Sequence, residues 1–505
     1  MIKDIGIKIF SVGVMVLILT SCSKFLNKEP LDQLSSQTFW QTQQDADMAL
    51  AGVYNRLTSS TFDYQQMMWS ILGGDADYSQ QSQGSSSLQT LAAGVITPTS
   101  GGLVSSIYDD CYNGISSCNF FLANIGRTPI SDETKTQYEA QVRFLRALSY
   151  FTLTNFYGGV PLYTAPVTVE EARIKQSTVA EVDTQIYKDL DFAIANLPNT
   201  QYSGYAVKGS ALALKAKVLL YNEQYSKAAE VANEIIQSGV FHLCDNYQSL
   251  FLKSEQINNP EIIFSSKFLN PNYYSDQDIE IGWWGLINPR QEFVNAFECT
   301  DGQPISTSPL YDPNHPFKNR DPRLAYTVAR VSQALVNSAG DSVYLNGSGG
   351  SSSVTGYEAL KGVNLDAYPY DYSTKSDQDW VLLRYAGVLL MYAEAENEAV
   401  GPDASVYAAI NMVRARPSVN MPPLPQGLNQ GQMREAIREE RRVELGLEGD
   451  RYLDIKRWKI AQTYIPTLVD PGGTHRQFDP NKNYLFPFSQ SEIDANPKLV
   501  QNHGY

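Results

Sequence analysis

A chain of 505 residues, 43% hydrophobic and 18% charged, can bury a large core, which excludes a disordered chain and leaves room for several domains. Its 54 acidic against 39 basic residues give a net charge of −15, which argues against nucleic acid as a partner and against an electrostatic grip on anionic lipid. Five Cys are too few for a disulfide framework and show no metal-ligand spacing, whereas 31 Tyr supply flat, half-polar surface suited either to recognition or to helix seams.

The chain opens on an export signal. Lys3 and Lys8 form a positive start, and Ile9 to Leu19 is an apolar run broken only by Ser11 and Gly13. Crossing a bilayer takes roughly 20 apolar residues, so this run is a signal core and not a membrane span. It ends in Leu19-Thr20-Ser21-Cys22, the pattern of a lipoprotein cleavage site, so residues 1–21 are expected to be removed and Cys22 to carry lipid. Removing Lys3, Lys8 and Asp4 (net +1) takes the mature chain from −15 to −16. Its hold on a membrane outside the cytoplasm then rests on the lipid, at about 0.8 kcal/mol per buried CH₂.

After a short tether, Asp45 is expected to open a helix with Ala46, Ala49, Leu50, Val53, Tyr54 and Leu57 at helical spacing. Ser79 to Ser87, rich in Gln and Ser, and Thr97 to Gly102 read as loops. Tyr138 to Phe156 is an amphipathic helix with Val142, Leu145, Ser149, Thr152 and Phe156 on one face, ended by Gly158-Gly159, and Val160 to Leu162 reads as extended. Val179 to Asn196 is a further helix, closed by Pro198. Ala206 to Gly239 reads as a helix pair with a break at about Asn222 and a second start near Tyr225. Its small residues Gly209, Ala211, Ala213, Ala216, Ala228, Ala229 and Ala232 resemble a tetratricopeptide seam. A second pair is expected at Trp380 to Val400 and Ser405 to Arg416.

Residues 240 to 375 differ in character. Glu261 to Phe268 reads as a strand, Tyr273-Tyr274 and Gly282-Trp283-Trp284-Gly285 are aromatic and turn-rich, and Asn346 to Ser353 is a Gly/Ser loop. Insertions of this kind project from a scaffold and commonly carry binding residues. Asp301, Asp312 and Asp321 lie in a Pro/Asn/Asp-rich stretch, where turn-forming and Ca²⁺ binding are both open readings, the first preferred. Cys111 and Cys118 could pair or remain buried thiols.

In the C-terminal part, Met433, Ile437, Val443 and Leu447 make a buried helix stripe on which Glu440 falls, needing a cationic partner such as Arg451 or Arg457. Glu435–Arg438, Glu439–Arg442 and Arg441–Glu444 are i,i+3 pairs of opposite charge. This charge pattern fixes a fold and carries no catalytic signature. The chain has no G-x-S-x-G, H-E-x-x-H, G-x-G-x-x-G or G-x-x-x-x-G-K motif, and His242, His315, His475 and His503 are scattered. The expectation is a protein that is not an enzyme and holds no cofactor or metal. The rival readings are a lipid-anchored surface hydrolase or a scaffold that binds only protein or peptide.

Residues 438–445 and 448–458, Leu383-Arg384-Tyr385 with Tyr392 to Ala395, Asn319 to Arg323, and Tyr484 to Pro487 with Asn496-Pro497 resemble the signatures of SusD/RagB-type nutrient-binding lipoproteins. Glu29-Pro30 and Phe39-Trp40 fit the same pattern, which spans nearly the whole chain. The resemblance implies a mainly α fold, with tetratricopeptide-like helix pairs as scaffold, a loop-rich ligand face and few strands. It implies one SusD-like unit over 22–505, with an N-terminal part 22–240 that includes the 206–239 pair and a C-terminal part 241–505. It further implies a cell-surface position on a Gram-negative outer membrane, a SusC-like TonB-dependent transporter as partner, and an oligosaccharide as ligand, although some members take peptides.

A sugar ring offers an apolar C–H face and a hydroxyl edge, so its site wants aromatic platforms beside planar polar groups. Two stretches supply these: Trp69 with Asp75, Asp77 and Tyr78, and Tyr273, Tyr274, Trp283 and Trp284 with Asn288 and Arg290. Of the adjacent Trp283 and Trp284, alternation along an extended strand is expected to bury one and expose the other.

Overall fold

The structure, a computed structural model, describes residues 39–79, 87–345 and 353–505. The signal, Cys22, the tether and most of the two polar loops at 79–87 and 346–353 lie outside these residues. The fold is mainly α, a tetratricopeptide-like array of helices with few short strands.

The first described helix, α1 (Gln43–Tyr54), starts two residues before the expected Asp45. Thr42 is its cap, and Asp45 sits one turn in, accepting from the amides of Gln41 and Thr42 at 2.8 Å each. Helix α2 (Leu103–Asn124) has no counterpart in the sequence reading. Its Ser, Asn, Asp and Gly content is poor helix material, and what holds it is a buried stripe of Val104, Ile107, Cys111, Ile115, Cys118 and Phe121. Cys111 and Cys118 are buried free thiols on that stripe. Helix α3 (Asp132–Tyr157) is capped by Ser131 and buries all five residues of the expected face. Helix α4 (Val179–Asn196) has the expected ends, set by the Thr178–Glu181 capping box.

Helices α5 (Lys208–Tyr221) and α6 (Tyr225–Ser238) form the expected pair, joined by three residues and ended by Gly239 at φ 63°. Neighbours pack in chain order, α2 on α3, α3 on α4, α4 on α5 and α5 on α6. Arg146 of α3 clamps Asp189 of α4 bidentately at 2.7 and 2.8 Å with both side chains buried. The array then continues from α6 directly onto α7 (Tyr385–Ala399), which also packs against α8 (Ala404–Arg414) and α9 (Gln430–Glu444). The next helix of the C-terminal signature is α10 (Asp450–Arg457), and α11 (Gln490–Ala495) lies near the end of the chain.

The long insert between α6 and α7 leaves and rejoins the array through paired strands. Eight strands are described: β1 (Ala76–Tyr78), β2 (Ile262–Ser266), β3 (Ile287–Pro289), β4 (Val328–Arg330), β5 (Leu335–Val336), β6 (Ser342–Val343), β7 (Tyr357–Ala359) and β8 (Trp380–Arg384). They pair antiparallel as β1–β3, β2–β8, β4–β7 and β5–β6. Trp380 to Arg384 is therefore a strand and not the first turn of the expected helix. It is buried nearly throughout, and its Trp, Val and Leu residues suit the ladder with β2, where Ser266 lies opposite Trp380. Residues 267–379 are closed at their base by this ladder.

The C-terminal signatures form a buried ion network. Glu440 pairs with Arg323 at 2.6 Å and Arg414 at 2.8 Å, so its partners are not the expected Arg451 or Arg457. Arg457 binds Glu394, and Arg451 lies over the Tyr464 ring. Of the expected i,i+3 pairs only Glu435–Arg438 forms, at 3.0 Å. Arg441 turns to Asp454, Arg442 to Asp75, and Glu444 receives Arg323, Arg384 and Arg416. Burial would raise the Glu444 carboxyl, but these three guanidinium groups hold it well below the ordinary range. Long-range partners win because they are buried, where charge attraction is screened less than on an exposed helix face.

Candidate functional site

Residues Asp278–Trp283 wind into a wide helical turn, closed by the Trp284 amide donating to the Ile279 carbonyl at 2.8 Å. Its foot is the buried carboxylate of Asp278. That group accepts from the Asn364 amide at 2.7 Å, the Ser376 hydroxyl at 2.8 Å and the Gln378 side-chain amide at 3.0 Å. Burial pushes this carboxyl up from its ordinary value, with the three donors acting against the shift. Gly282 lets the turn pack closely: a Cβ there would stand 3.0 Å from Val363 Cγ1 and 3.3 Å from the Tyr370 ring, so those side chains would have to give way. Gly285, at φ 57°, turns the chain out into β3.

The turn presents Trp283 and Trp284 side by side, with ring centroids 6.5 Å apart. Tyr372, from a distant loop and 80% exposed, meets Trp283 edge-on at 4.9 Å and Trp284 at 6.3 Å. Both tryptophans are half-buried, so neither is a core residue and neither is fully exposed. The expected split between them does not occur, because the backbone is coiled and successive side chains do not alternate as they do on a strand. The same 371–375 loop places Lys375 4.7 Å over the Tyr274 ring. Tyr273 and Tyr274 are 60% and 44% exposed and line a groove with Asp63, Gln65 and Asp276. Burial first, then repulsion from Glu280, Asp110 and Asp276, raises the Asp63 carboxyl to about 8, so at neutral pH it can both donate and accept a hydrogen bond.

The remaining sequence candidates sit behind this surface and hold its frame. Trp69, 4% exposed, meets Phe156 edge-on at 4.9 Å in the core. Asp75 is buried against Arg442 at 2.8 Å. Asp77 is buried between Arg290 at 2.7 Å and Arg476 at 2.6 Å. Asn288, fully buried, donates to the Gly285 carbonyl and accepts from the Val354 amide, both at 3.0 Å. Tyr78 is half-buried opposite Ile287 in the β1–β3 ladder. The two stretches are thus brought together, by a two-stranded ladder and a buried ion pair, but Trp69, Asp75, Asp77, Asn288 and Arg290 offer no free surface to a ligand. Tyr372 and Asp278 were missed. The aromatic run Tyr368, Tyr370 and Tyr372 was a usable signal for the first, whereas nothing local marks Asp278.

The three aspartates of the Pro/Asn/Asp stretch each close a local feature. Asp301 accepts from the Gln303 amide, Asp312 from the Asn314 amide, and Asp321 binds Arg323. Among the described residues no cluster of three His, Cys, Asp or Glu side chains is arranged to hold a metal.

Two family models match the chain: the SusD family over residues 258–505, and a model described as starch-binding associating with outer membrane over residues 24–220. The chain belongs to the SusD family. That family is one of carbohydrate-binding proteins and not of catalysts. SusD-like protein P25 of Formosa agariphila is 26% identical over 525 aligned residues, covering 96% of this chain and 97% of its own. The starch-binding protein SusD of Bacteroides thetaiotaomicron is 26% identical over 439 aligned residues, covering 77% and 76%. A solved SusD-like carbohydrate-binding protein of Bacteroides fragilis superposes with a TM-score of 0.81 at 27% identity, covering 92% of this SusD-family chain and all of the other. A laminarin-binding SusD-like protein does so with a TM-score of 0.71 at 26% identity, covering 92% and 100%.

Proposed function

We propose that this protein captures an oligo- or polysaccharide at the Trp283–Trp284–Tyr372 cluster and delivers it to a SusC-like TonB-dependent outer-membrane transporter. It works from the cell surface, anchored by lipid on Cys22. The observation that carries the reading is the cluster itself, three large rings from two distant segments held half-open on a buried Asp278 frame. Such rings stack on the C–H face of a sugar, and the Tyr273–Tyr274 groove with Asp63 and Gln65 offers hydrogen-bonding groups to its hydroxyl edge. The starch- and laminarin-binding relatives support this ligand class.

The lipoprotein signal at Leu19 to Cys22 supports the anchor, and no helix among the described residues is long and apolar enough to cross a membrane. Binding without turnover is the expectation that follows from the family. Calorimetric titration with a panel of glycans tests the ligand, a reducing-sugar assay tests for turnover, and co-purification from detergent-solubilised outer membrane tests the transporter.

A further inference from the structure

We propose that the groove between α2, the 161–167 segment and Glu492 is a second carbohydrate-binding site, separate from the aromatic turn. The proposal rests on the glycan-binding reading. The groove holds about 610 Å³ and shares no residue with the Trp283–Trp284–Tyr372 cluster.

Tyrosine rings line its floor, Tyr112 and Tyr163 half-buried and Tyr108 buried against them. Tyr108 and Tyr112, one turn apart on α2, have centroids 4.6 Å apart, and Tyr112 meets Tyr163 at 5.7 Å. Two of these rings are fixed from behind. Tyr112 donates its hydroxyl to the Pro161 carbonyl and Tyr163 to the Ala172 carbonyl, each at 2.6 Å. A platform fixed before the ligand arrives loses little freedom when a ring stacks on it. Phe120, 50% exposed, forms a wall.

Polar groups stand at the rim. Asp109 and the Asn113 side chain are exposed, and Glu492 is half-buried. Neither carboxylate has an ion-pair partner among the described residues, so their oxygens are available to ligand hydroxyls. Desolvation, and then repulsion from Asp109, raises the Glu492 carboxyl. Carboxylate and amide groups around a ring platform match a hydroxyl-rich pyranose or furanose. A polymer long enough to span both sites would gain by avidity, so the second site matters most for long glycans.

The test combines two variants on exposed positions: Ser116→Trp, which fills the groove, and Asp109→Ala with Asn113→Ala, which strips its rim. Each is compared with wild type by titration with a short oligosaccharide and by affinity electrophoresis in the parent polysaccharide, with thermal melts to confirm folding. Wild type is expected to bind two short ligands per chain. Both variants are expected to bind one and to lose about tenfold in retention by the polymer, a difference of about 1.4 kcal/mol. One ligand per chain in wild type, with both variants retained as strongly as wild type, overturns the second site and leaves the aromatic turn standing. Variants that keep all glycan binding but lose a co-purifying transporter also overturn it, making the groove a protein contact. If wild type binds no glycan, both readings fall.

Discussion

Asp77 and Arg290, 213 residues apart in sequence, form a buried ion pair of 2.7 Å beside the β1–β3 ladder. Arg290 also donates to the Val469 carbonyl at 2.7 Å, so it joins the N-terminal part, the insert and the C-terminal region. Arg290→Ala leaves Asp77 buried with only Arg476, and Arg476 is shared with Asp470. The expected cost is about 3–5 kcal/mol, as for a buried pair that loses one partner. Thermal and denaturant melts check it; an unchanged midpoint would show that the pair does not stabilise the fold.

Lys456 of α10 is a buried cation with one hydrogen-bond partner among the described residues, the Asn155 carbonyl at 2.9 Å. Burial first, and then Lys459, lowers its ammonium to about 7, although the Phe156 and Tyr452 rings at 5.2 and 4.9 Å favour the charged form. Between about pH 7 and the ordinary lysine value of about 10.4, the unfolded chain binds this proton more readily than the folded one, so stability rises with pH. Lys456→Met removes that term. The variant is expected to melt higher than wild type at pH 7, with the advantage shrinking toward pH 10. A constant difference across that range would contradict the linkage.

Cys22→Ala should leave a soluble or mislocalised protein whose glycan binding is intact, because the position is far in chain from every aromatic candidate. Membrane fractionation with titration of the soluble fraction checks both halves. Full retention of the variant in the outer membrane would contradict the lipid anchor.

What the sequence made legible was what local physics decides. The end of α4 was read from Pro198, and the α5–α6 pair from its break near Asn222 and Gly239, while the Thr178–Glu181 box sets the start of α4 in the structure. Helix α2 was hidden because its residues are poor helix formers whose burial depends on neighbours distant in the chain. Strand β8 was read as helix because only its partner β2, more than a hundred residues earlier, decides its form. At the candidate site, Trp283 and Trp284 were legible as paired rings between glycines. Their shared orientation depends on Asp278 and on donors from residues 364–378, which no window around the pair contains. Asp77 and Arg290 read as ligand groups because a charged residue beside aromatics looks the same in sequence whether it faces solvent or a buried partner.

The central claim is that the Trp283–Trp284–Tyr372 cluster is a sugar platform, and calorimetric titration of single alanine variants against a glycan bound by wild type tests it most directly. Losing one stacking ring should cost about 1–3 kcal/mol, by analogy with bases stacked on aromatic side chains, or roughly tenfold to hundredfold in affinity. The rings are half-buried or exposed, so their loss should cost less stability than the about 3–5 kcal/mol of a core tryptophan. The account therefore predicts that Trp283→Ala, Trp284→Ala and Tyr372→Ala each weaken binding at least about tenfold while remaining folded. Wild-type affinity in all three variants would contradict it.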